Sequence, residues 1–432
     1  MANIITGIDI GSDTIKTVIA IVDEEGKGKV IGHADDPSYG IKKGEITGIE
    51  EAINSIASSL TAAEKMAGLT VSSAFVTING KHIISNNNKG VVAISDSEIL
   101  EEDVYRAIEQ ARTLAIPSSR QIIHTIPREF VVDQQSGIKN PVGMTGSRLE
   151  VDAHIISAPV TAIHNLERCI QTIGLKIDSI VFSGWAASQT VLTSTEKELG
   201  VLLLDIGAGT TTVSTFEEDA ITYSASIPFG GANVTRDLAA GLRMSLDEAE
   251  KVKTNIEDIM KKSSSSKRAS RKSEDKKEEE EPKKENTGDV LDITDLNIQN
   301  VKTISKKLFN LIIDERIKEI FELVLDNVEQ SGHEYRLPAG IVITGGSASL
   351  PEIAALAKKV FGVPARVATP MGLEGLLDGV SAPTHASVQG LIANAINNES
   401  YSTDSSYAPR KGGEAGGGMF GKLTDFIKGF LP

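Results

Sequence analysis

The chain has few of the residues that build metal clusters and disulfide frameworks. Its 432 residues include one cysteine, Cys169, and seven histidines, which leaves no Cys/His metal cluster and no disulfide. It lacks any run of about 18 apolar residues, so we expect no membrane-spanning helix. The first residues lead into a strand pattern without the basic and apolar regions of a secretion signal. Together these absences predict a cytosolic protein.

The chain is also short of positive charge. Its 44 Lys and Arg are outnumbered by 59 Asp and Glu, which gives a formal net charge of −15 and a pI near 5.1. We expect no nucleic-acid partner, because an acidic surface repels phosphates. With 40% hydrophobic and 24% charged residues, the composition is that of a soluble globular protein, and the length allows two or more domains.

An apolar strand that ends in Asp-Ile-Gly occurs twice, about half a chain apart. The copies lie in residues 4–13 and 200–212, and each is followed by a second β-rich run, at 14–22 and 211–216. Strand, glycine turn and strand form a hairpin, so the duplication predicts two similar lobes that face each other. One copy alone could be a common way to end a buried strand. Two copies in matching contexts favour a pair of functional hairpins.

The chemistry of these turns indicates phosphate binding. A turn with little side chain exposes its backbone N–H groups, which can bind phosphate oxygens. Asp9 and Asp205, at the two strand ends, are placed to hold Mg²⁺ directly or through water. We therefore predict that a nucleotide polyphosphate is bound between the two hairpins.

Strand and helix patterns alternate along residues 1–83, with a predicted helix at 50–66, which indicates α/β layers. A different segment follows at about 84–162. It combines a predicted helix at 97–114 with strand-like runs at 91–94, 121–132 and 149–157. We interpret it as a small inserted α+β domain.

The alternation then resumes. Helices are predicted at 161–173, 184–195, 234–240, 245–260, 301–330 and 386–396 and after Pro351, and strands at 177–182, 290–293 and 340–344. Apolar residues recur at helical spacing along 301–330, and we assign most of them to a core.

Residues 261–288 are rich in serine and charge and cannot bury a core, so we predict a disordered surface insertion. A basic pair at 267–268 could indicate nuclear localisation or nucleic-acid binding, but the acidic run 278–281 follows it and argues against this interpretation.

Residues 397–418 form a polar, Gly- and Ser-bearing segment, which predicts a flexible linker with a reach of roughly 26 Å. Residues 419–432 beyond it predict an amphipathic helix that lies in a membrane interface. Its apolar side, within an arc of about 140°, consists of Met419, Phe420, Leu423, Phe426, Ile427, Phe430 and Leu431. Alternatively, this helix could pack on the chain's own folded body. A single copy would bind lipid weakly and reversibly, so stable attachment would need a polymer.

A third motif completes the series. The strand pattern 340–344 is followed by Gly345-Gly346-Ser347, where glycine permits a ligand to approach the backbone closely. In this order the three motifs resemble those of the actin, heat-shock chaperone and sugar kinase superfamily. Within it the chain closely resembles the FtsA family of bacterial cell-division proteins, through the segments 138–150, 198–201 and 227–235 and the terminal helix.

The resemblance implies an α/β, actin-like two-lobed fold with duplicated ribonuclease-H-like cores and an inserted small α+β domain. Subdomain IA would comprise residues 1–83 and 163–195, and the SHS2-like subdomain IC residues 84–162. Subdomain IIA would comprise residues 196–230 and 335–396, and subdomain IIB residues 231–334 with the insertion 261–288.

The resemblance also implies ATP and Mg²⁺ as cofactors, filaments of this chain, and attachment to the cytoplasmic side of the cell membrane at the division septum. The tubulin-like division protein FtsZ would dock its C-terminal peptide on residues 231–334. Later division proteins would bind residues 84–162.

The resemblance also implies the site residues, by their positions in the matching segments. The phosphates would be bound by Gly11, Ser12, Asp13, Lys16, Gly207, Gly209, Thr210 and Thr211. The nucleoside and sugar would lie among Gly230, Gly231, Gly345, Gly346 and Ser347, with Glu250 and Lys253 at the ribose and base. Asp9 and Asp205 would govern Mg²⁺ and water. Lys16 could instead be an exposed hairpin lysine.

One position departs from the actin-like hydrolases. Those proteins place a Gln or Glu near the end of the strand predicted here at 177–182, to position the attacking water, and this chain has Ser183. A short hydroxyl holds and polarises water less well, so we predict slow or negligible ATP hydrolysis and a structural role for ATP.

Two alternatives stay open at this point: a small-molecule kinase of the same fold, and another scaffold of the superfamily such as the PilM pilus-assembly protein. The missing acid–base residue and the terminal helix argue against the kinase. The segment 140–144 and the terminal helix argue against a PilM-like scaffold.

Overall fold

The computed structural model describes residues 3–23, 25–96, 98–113, 116–256, 258–261, 289–298, 301–331 and 337–399. All of the predicted insertion except Lys261, the predicted linker beyond residue 399 and the predicted helix 419–432 lie outside these residues. Among the helices that are described, none combines the length and the hydrophobicity that a membrane crossing requires.

The first lobe is built on a six-stranded sheet with helices on both faces. The helix Ile49–Ala67 packs on one face together with Val160–Thr172, and the helix Ala386–Glu399 packs on the other. Because both faces are buried, the central strands are apolar runs. The predicted first hairpin is confirmed, with Asp9 paired to Lys16. The strand order is Lys176–Phe182, Ser73–Ile78, Asn3–Ile10, Thr14–Val22, Gly28–Pro37 and Glu374–Gly375.

The second lobe repeats this plan with five strands, and its predicted hairpin is also confirmed. Leu202 and Leu204 lie in the largest core cluster, whereas Val201 and Leu203 face the helix Ser183–Val191 on the other side of the sheet. The strand order is Ala220–Ile227, Thr211–Glu217, Val201–Ile206, Gly340–Thr344 and Ala365–Val367. The helices on the side of the large core are Gly231–Leu242, Leu246–Thr254, Lys306–Gln330 and Ile353–Phe361.

Two helices pack against each other between the lobes. The helix Ser183–Val191 meets the helix Ala386–Glu399 so closely that a Cβ at Gly390 would lie 1.9 Å from the carbonyl oxygen of Ala186. The family resemblance predicts residues 386–396 in the second lobe, whereas this helix packs on the strands of the first sheet. Its apolar residues Val388 and Ile392 explain this, because they fill the core beneath the first hairpin.

A third sheet forms the inserted segment, with strands Ile84–Ala93, Arg148–Pro159, Arg120–Val132 and Gln135–Ile138 in that order. The helix Glu101–Thr113 covers one face, which agrees with the predicted α+β character. The predicted helix start at residue 97 is wrong, because Ile99 is buried and its backbone N–H donates to the carbonyl of Met144 instead of entering a helix.

The other face of the inserted sheet contacts the edge strand Ala220–Ile227 of the second lobe. Ser85 Oγ donates to the carbonyl oxygen of Ser224 over 2.7 Å. The imidazole of His154, which has no exposed surface, lies 3.0 Å from Ser224 Oγ. Side chains of the inserted sheet therefore cover part of an edge that would otherwise be open for pairing.

Other helix boundaries also differ from the prediction. The helix predicted at 184–195 is divided into Ser183–Val191 and Ser194–Leu199, because Thr193 and Glu196 form a capping box for the second helix. The helix predicted at 301–330 begins at Lys306, since Thr303–Ser305 is a strand and Ser305 caps the helix.

The remaining elements are short. The continuous helix predicted at 245–260 ends at Thr254, and residues 258–261 are helical again. The other short elements are the hairpin Ile41–Lys42 with Glu45–Ile46, the strand Val290–Asp292 that pairs with Thr303–Ser305, and the 3₁₀ turns Thr294–Leu296, Gly346–Ser349 and Pro383–His385.

The contact at Gly390 generates a test of the helix packing. Gly→Ala inside a helix normally stabilises by about 0.5–1 kcal/mol, but Gly390→Ala places a Cβ against the Ala186 carbonyl oxygen. We expect the sign to reverse, with a loss of about 1–3 kcal/mol from overpacking. Denaturant unfolding measures this loss. Asn397→Ala, at an exposed position of the same helix, is the control, and equal stability of both variants would contradict the expectation.

Candidate functional site

A cavity of about 530 Å³ lies between the two hairpins. Its wall contains nearly all of the site residues that the motifs and the family resemblance predicted: Asp9, Gly11, Ser12, Asp13, Lys16, Ser183, Asp205, Gly207, Gly209, Thr210, Gly231, Glu250, Lys253, Gly345, Gly346 and Ser347. Residues that are far apart in the sequence thus line one polar space between the lobes.

The first loop, Gly11-Ser12-Asp13, turns tightly between its two strands. A Cβ at Gly11 would lie 2.5 Å from the carbonyl oxygen of Thr14, so only glycine fits there without a shift. Ser38 Oγ donates to the carbonyl of Gly11 over 2.7 Å and holds the turn from outside. A turn closed in this way is suited to direct backbone N–H groups at an anion.

The second loop runs from Gly207 to Thr210 and is closed by a 2.9 Å hydrogen bond from the Gly207 N–H to the Thr210 carbonyl. Two residues predicted for the site do not line the cavity but lie behind this loop. Thr211 is buried and donates through Oγ1 to the carbonyl of Phe229. A Cβ at Gly230 would lie 2.5 Å from the carbonyl oxygen of Gly207, so Gly230 allows the loop to be packed closely.

Each strand-end carboxylate is held by a hydroxyl. Thr77 Oγ1 donates to Asp9 over 2.8 Å, and Ser387 Oγ donates to Asp205 over 2.9 Å. Burial, and then the charge of Asp9, raise the pKa of Asp205 to about 6. A pair of mutually repelling carboxylates in a polar cavity is a donor set that fits Mg²⁺, directly or through water.

Lys16 is buried, with 8% of its surface exposed, so it is not the exposed hairpin lysine of the alternative interpretation. It is paired in the sheet with Asp9 on one side and Asp35 on the other. Its charge contributes to lowering the pKa of Asp35, after the stronger effects of burial, which opposes this, and of the hydrogen bond to His385. Lys16 thus places a positive charge in the wall of the cavity, near the first loop.

The helix Leu246–Thr254 and the third motif form a further part of the cavity wall. Lys253 Nζ donates to Glu250 over 2.7 Å, to Thr235 Oγ1 over 2.8 Å and to the Gly231 carbonyl over 3.2 Å. A Cβ at Gly231 would lie 2.5 Å from Ser347 Oγ, so the two motifs meet at this point. These hydrogen bonds fix the polar side chains of the cavity wall, which is suited to binding a sugar and a base.

Ser183 is the first residue of its helix and lines the cavity, with its Oγ 3.4 Å from Thr212 Oγ1. The position predicted for it near the phosphate loops therefore agrees with the structure. Its role in orienting water stays a prediction.

The sequence reasoning missed several cavity residues, above all Asn79 and Ser387. Asn79 Nδ2 donates to Thr210 Oγ1 over 3.2 Å and to Thr212 Oγ1 over 2.9 Å, and so connects the two lobes. A signal for Asn79 was present, because it follows the strand Ser73–Ile78, a parallel neighbour of the first hairpin whose end lies at the same sheet edge. Ser387 had no such signal.

The raised pKa of Asp205 predicts that this carboxyl group lowers the free energy of unfolding in a pH-dependent way. Between about pH 4 and 6 the unfolded chain would release this proton while the folded chain keeps it, so stability falls as pH rises, and the cost is complete above pH 6. We expect Asp205→Asn to stabilise the ligand-free protein by about 1–3 kcal/mol at pH 7.5, and by progressively less as pH falls toward 4.

Thermal unfolding without nucleotide or divalent cation, recorded across this pH range, measures the effect. The exposed Asp326 supplies the control Asp326→Asn. A variant at Asp205 that is no more stable than the wild type at pH 7.5 would show that the buried carboxylate carries no such cost.

The fold is found in solved structures. The chain is similar to a PilM–PilN type IV pilus biogenesis complex, with a TM-score of 0.60 and 14% identity over 91% of this chain and 98% of that chain. It is also similar to MreB5 of Spiroplasma citri bound to ADP, with a TM-score of 0.51 and 14% identity over 93% of this chain and 99% of that chain. These likenesses show the fold alone and confirm the predicted actin-like architecture.

Sequence relatives extend over nearly the whole chain. Cell division protein FtsA of Pseudomonas aeruginosa is 34% identical over 94% of this chain and 95% of its own length. The same protein of Neisseria meningitidis is 33% identical over 98% of both chains, and that of Bacillus subtilis 34% identical over 90% of this chain and 83% of its own length.

Two family models match separate parts of the chain. The model of the SHS2 domain inserted in FTSA matches residues 80–157, which contain most of the third sheet, and the model of cell division protein FtsA matches residues 202–390. The paired hairpins, the inserted sheet and these matches lead to one conclusion: the chain belongs to the FtsA family of cell division proteins.

Proposed function

We propose that this chain binds ATP with Mg²⁺ between its lobes, polymerises on the cytoplasmic face of the cell membrane at the division septum, and attaches FtsZ to that membrane. The observation that carries the nucleotide proposal is the cavity, in which two glycine loops, two carboxylates and a buried lysine meet. The MreB5 structures with ADP and with AMPPNP lend support from the same fold.

In this proposal the backbone of the two loops binds the phosphates, with Lys16 reaching toward them, and Asp9 and Asp205 hold Mg²⁺. Glu250, Lys253 and the Gly345–Ser347 turn hold the sugar and base. Bound ATP would contact both lobes, because each lobe contributes one loop. It would thereby stabilise one orientation of the lobes relative to each other. The short hydroxyl of Ser183 makes hydrolysis slow.

FtsZ would dock its C-terminal peptide in a groove between the helices Gly231–Leu242 and Lys306–Gln330. Leu308 and Leu311, on the second helix, are 40% and 57% exposed although their helical spacing resembles that of core residues. The groove has a volume of about 540 Å³, and Arg316, paired with Asp237, lies on its wall. Exposed apolar side chains beside charged side chains are typical of a surface that binds an amphipathic helical peptide.

Membrane attachment is proposed for residues 419–432. The linker predicted at 397–418 is proposed only beyond residue 399, because residues 397–399 belong to the helix Ala386–Glu399. Recruitment of later division proteins is proposed for residues 84–162. The weak lipid affinity of one terminal helix is the reason for including filaments of this chain, since a polymer presents many helices at once.

The nucleotide proposal is tested by isothermal titration of the full chain with ATP and Mg²⁺. We expect binding, and a loss of affinity of about 10- to 100-fold in Lys16→Met, because a charged hydrogen bond contributes about 1.5–3 kcal/mol. Lys29→Met, at an exposed position of the neighbouring strand, should bind as the wild type does. Phosphate release in the same samples should be slow. Absence of any heat with the wild type would refute nucleotide binding.

The membrane proposal is tested by co-sedimentation with vesicles of anionic phospholipid. We expect the full chain, and FtsZ with it, to pellet, and a chain that ends at Gly418 to stay in solution. Phe426→Ser on the apolar side should weaken pelleting about fivefold, since half-burying a Phe contributes about 1 kcal/mol, whereas Asp425→Ser on the polar side should not weaken it. Equal pelleting of the full and shortened chains would exclude the terminal helix as the anchor.

A further inference from the structure

A small hairpin that the sequence reasoning did not single out reaches the phosphate end of the cavity. The strands Ile41–Lys42 and Glu45–Ile46 are joined by the two residues Lys43 and Gly44. The N–H of Gly44 donates to Ser12 Oγ over 2.9 Å, and Gly44 lines the cavity. The tip therefore contacts the first loop directly.

The same tip contacts the second lobe. A Cβ at Gly209 would lie 3.1 Å from the Cα of Lys43, so the tip lies against the second loop. The ammonium of Lys43 lies 5.6 Å from the centre of the Phe229 ring, a cation–π contact. The tip thus contacts both loops, whereas Lys253 bonds to Gly231, Thr235 and Glu250 within the second lobe.

Lysine is an unfavourable choice for this turn. Lys43 and Gly44 have φ of 52° and 75°, so both central residues are left-handed, as in a type I′ turn, where Asn, Asp and Gly are preferred. Residues held in sparsely populated conformations are often found at ligand sites. Asn, Asp or Gly would form this turn more favourably than lysine. We therefore attribute the presence of lysine here to a function of its side chain.

We propose that Lys43 binds the terminal phosphate of a bound nucleoside triphosphate and so distinguishes the triphosphate from the diphosphate. This inference rests on the proposed nucleotide binding. In that arrangement the phosphates lie on the two glycine loops, and the hairpin tip contacts both loops, so the terminal phosphate would come within reach of the Lys43 side chain. In the ligand-free chain the ammonium rests on Phe229, and the terminal phosphate, with a charge of about −1.5 to −2, is a stronger partner for it.

The charges of the cavity support this assignment. Of the described residues in its wall, the lysines are Lys16 and Lys253, and Lys253 already donates to Glu250, Thr235 and the Gly231 carbonyl. A third phosphate adds negative charge at the end where Asp13 already stands. Lys43 stands at the tip that contacts both loops, and its ammonium, on a flexible stem, can move to pair with this charge.

The experiment is isothermal titration of the full chain with Mg²⁺ and either ADP or the non-hydrolysable analogue AMPPNP. We expect Lys43→Met to weaken AMPPNP binding about tenfold and to change ADP binding less than twofold. Lys43→Arg should restore most of the AMPPNP affinity because it keeps the charge. Lys42→Met, at the exposed neighbouring position, should leave both affinities unchanged, and equal melting temperatures of the variants would establish that they fold alike.

The outcomes separate this inference from the proposed function. If the wild type binds both nucleotides and Lys43→Met binds AMPPNP as the wild type does, or loses both ligands equally, the role of Lys43 is refuted while nucleotide binding stands. If the wild type binds neither nucleotide, the proposed function itself fails.

Discussion

The close packing of the helix Ser183–Val191 on the helix Ala386–Glu399 determines how the lobes of this protein sit together. Both helices begin at the cavity, where Ser183 and Ser387 form part of its wall. Farther along, the absence of a side chain at Gly390 lets the two backbones approach at Ala186. Because Ser387 holds Asp205 of the second lobe while its own helix packs on the first sheet, one packing contact fixes both the core and the site.

The site contains a buried carboxylate, Asp205, whose charged form destabilises the ligand-free fold. Burial and the charge of Asp9 raise the pKa of Asp205 to about 6, which means that its ionised form is costly in the ligand-free chain. Such groups concentrate at functional sites, because a cation that binds there relieves the same repulsion that raised the pKa. The glycines around it have a related role, since a Cβ at Gly345 would lie 2.3 Å from Asp205 Oδ1.

The inserted sheet contacts both lobes close to this site. His124 accepts a hydrogen bond at Nε2 from the N–H of Phe182, the residue before Ser183, and burial lowers the pKa of His124 to about 4, so it is neutral in this bond. Ser85 and His154 reach Ser224 in the second lobe. A movement of one lobe relative to the other must therefore alter contacts of the inserted sheet. Through these contacts, a change at the cavity can be transmitted to the inserted segment.

Much of this could be predicted from local patterns. The Asp-Ile-Gly repeats gave both hairpins and the two glycine loops of the cavity wall, because strand ends and glycine turns are properties of short segments. Helix starts were less predictable: Ile99 and Thr303–Ser305 pair with distant residues, and those hydrogen bonds override local helix preference. Ser387 and the tip at Lys43 and Gly44 were not predicted for the same reason, since no local pattern connects them to the repeats.

By itself the sequence determined the two-lobed plan and the residues of the loops, since apolar periodicity and glycine placement are properties of the chain, and its motifs resembled those of one family. Only the tertiary structure decided that the last helix belongs with the first lobe, that Thr211 and Gly230 stand behind their loop, and that Lys16 is buried. These outcomes depend on contacts between residues that are far apart in the sequence. Such contacts contribute free energy only when the chain folds and brings those residues together.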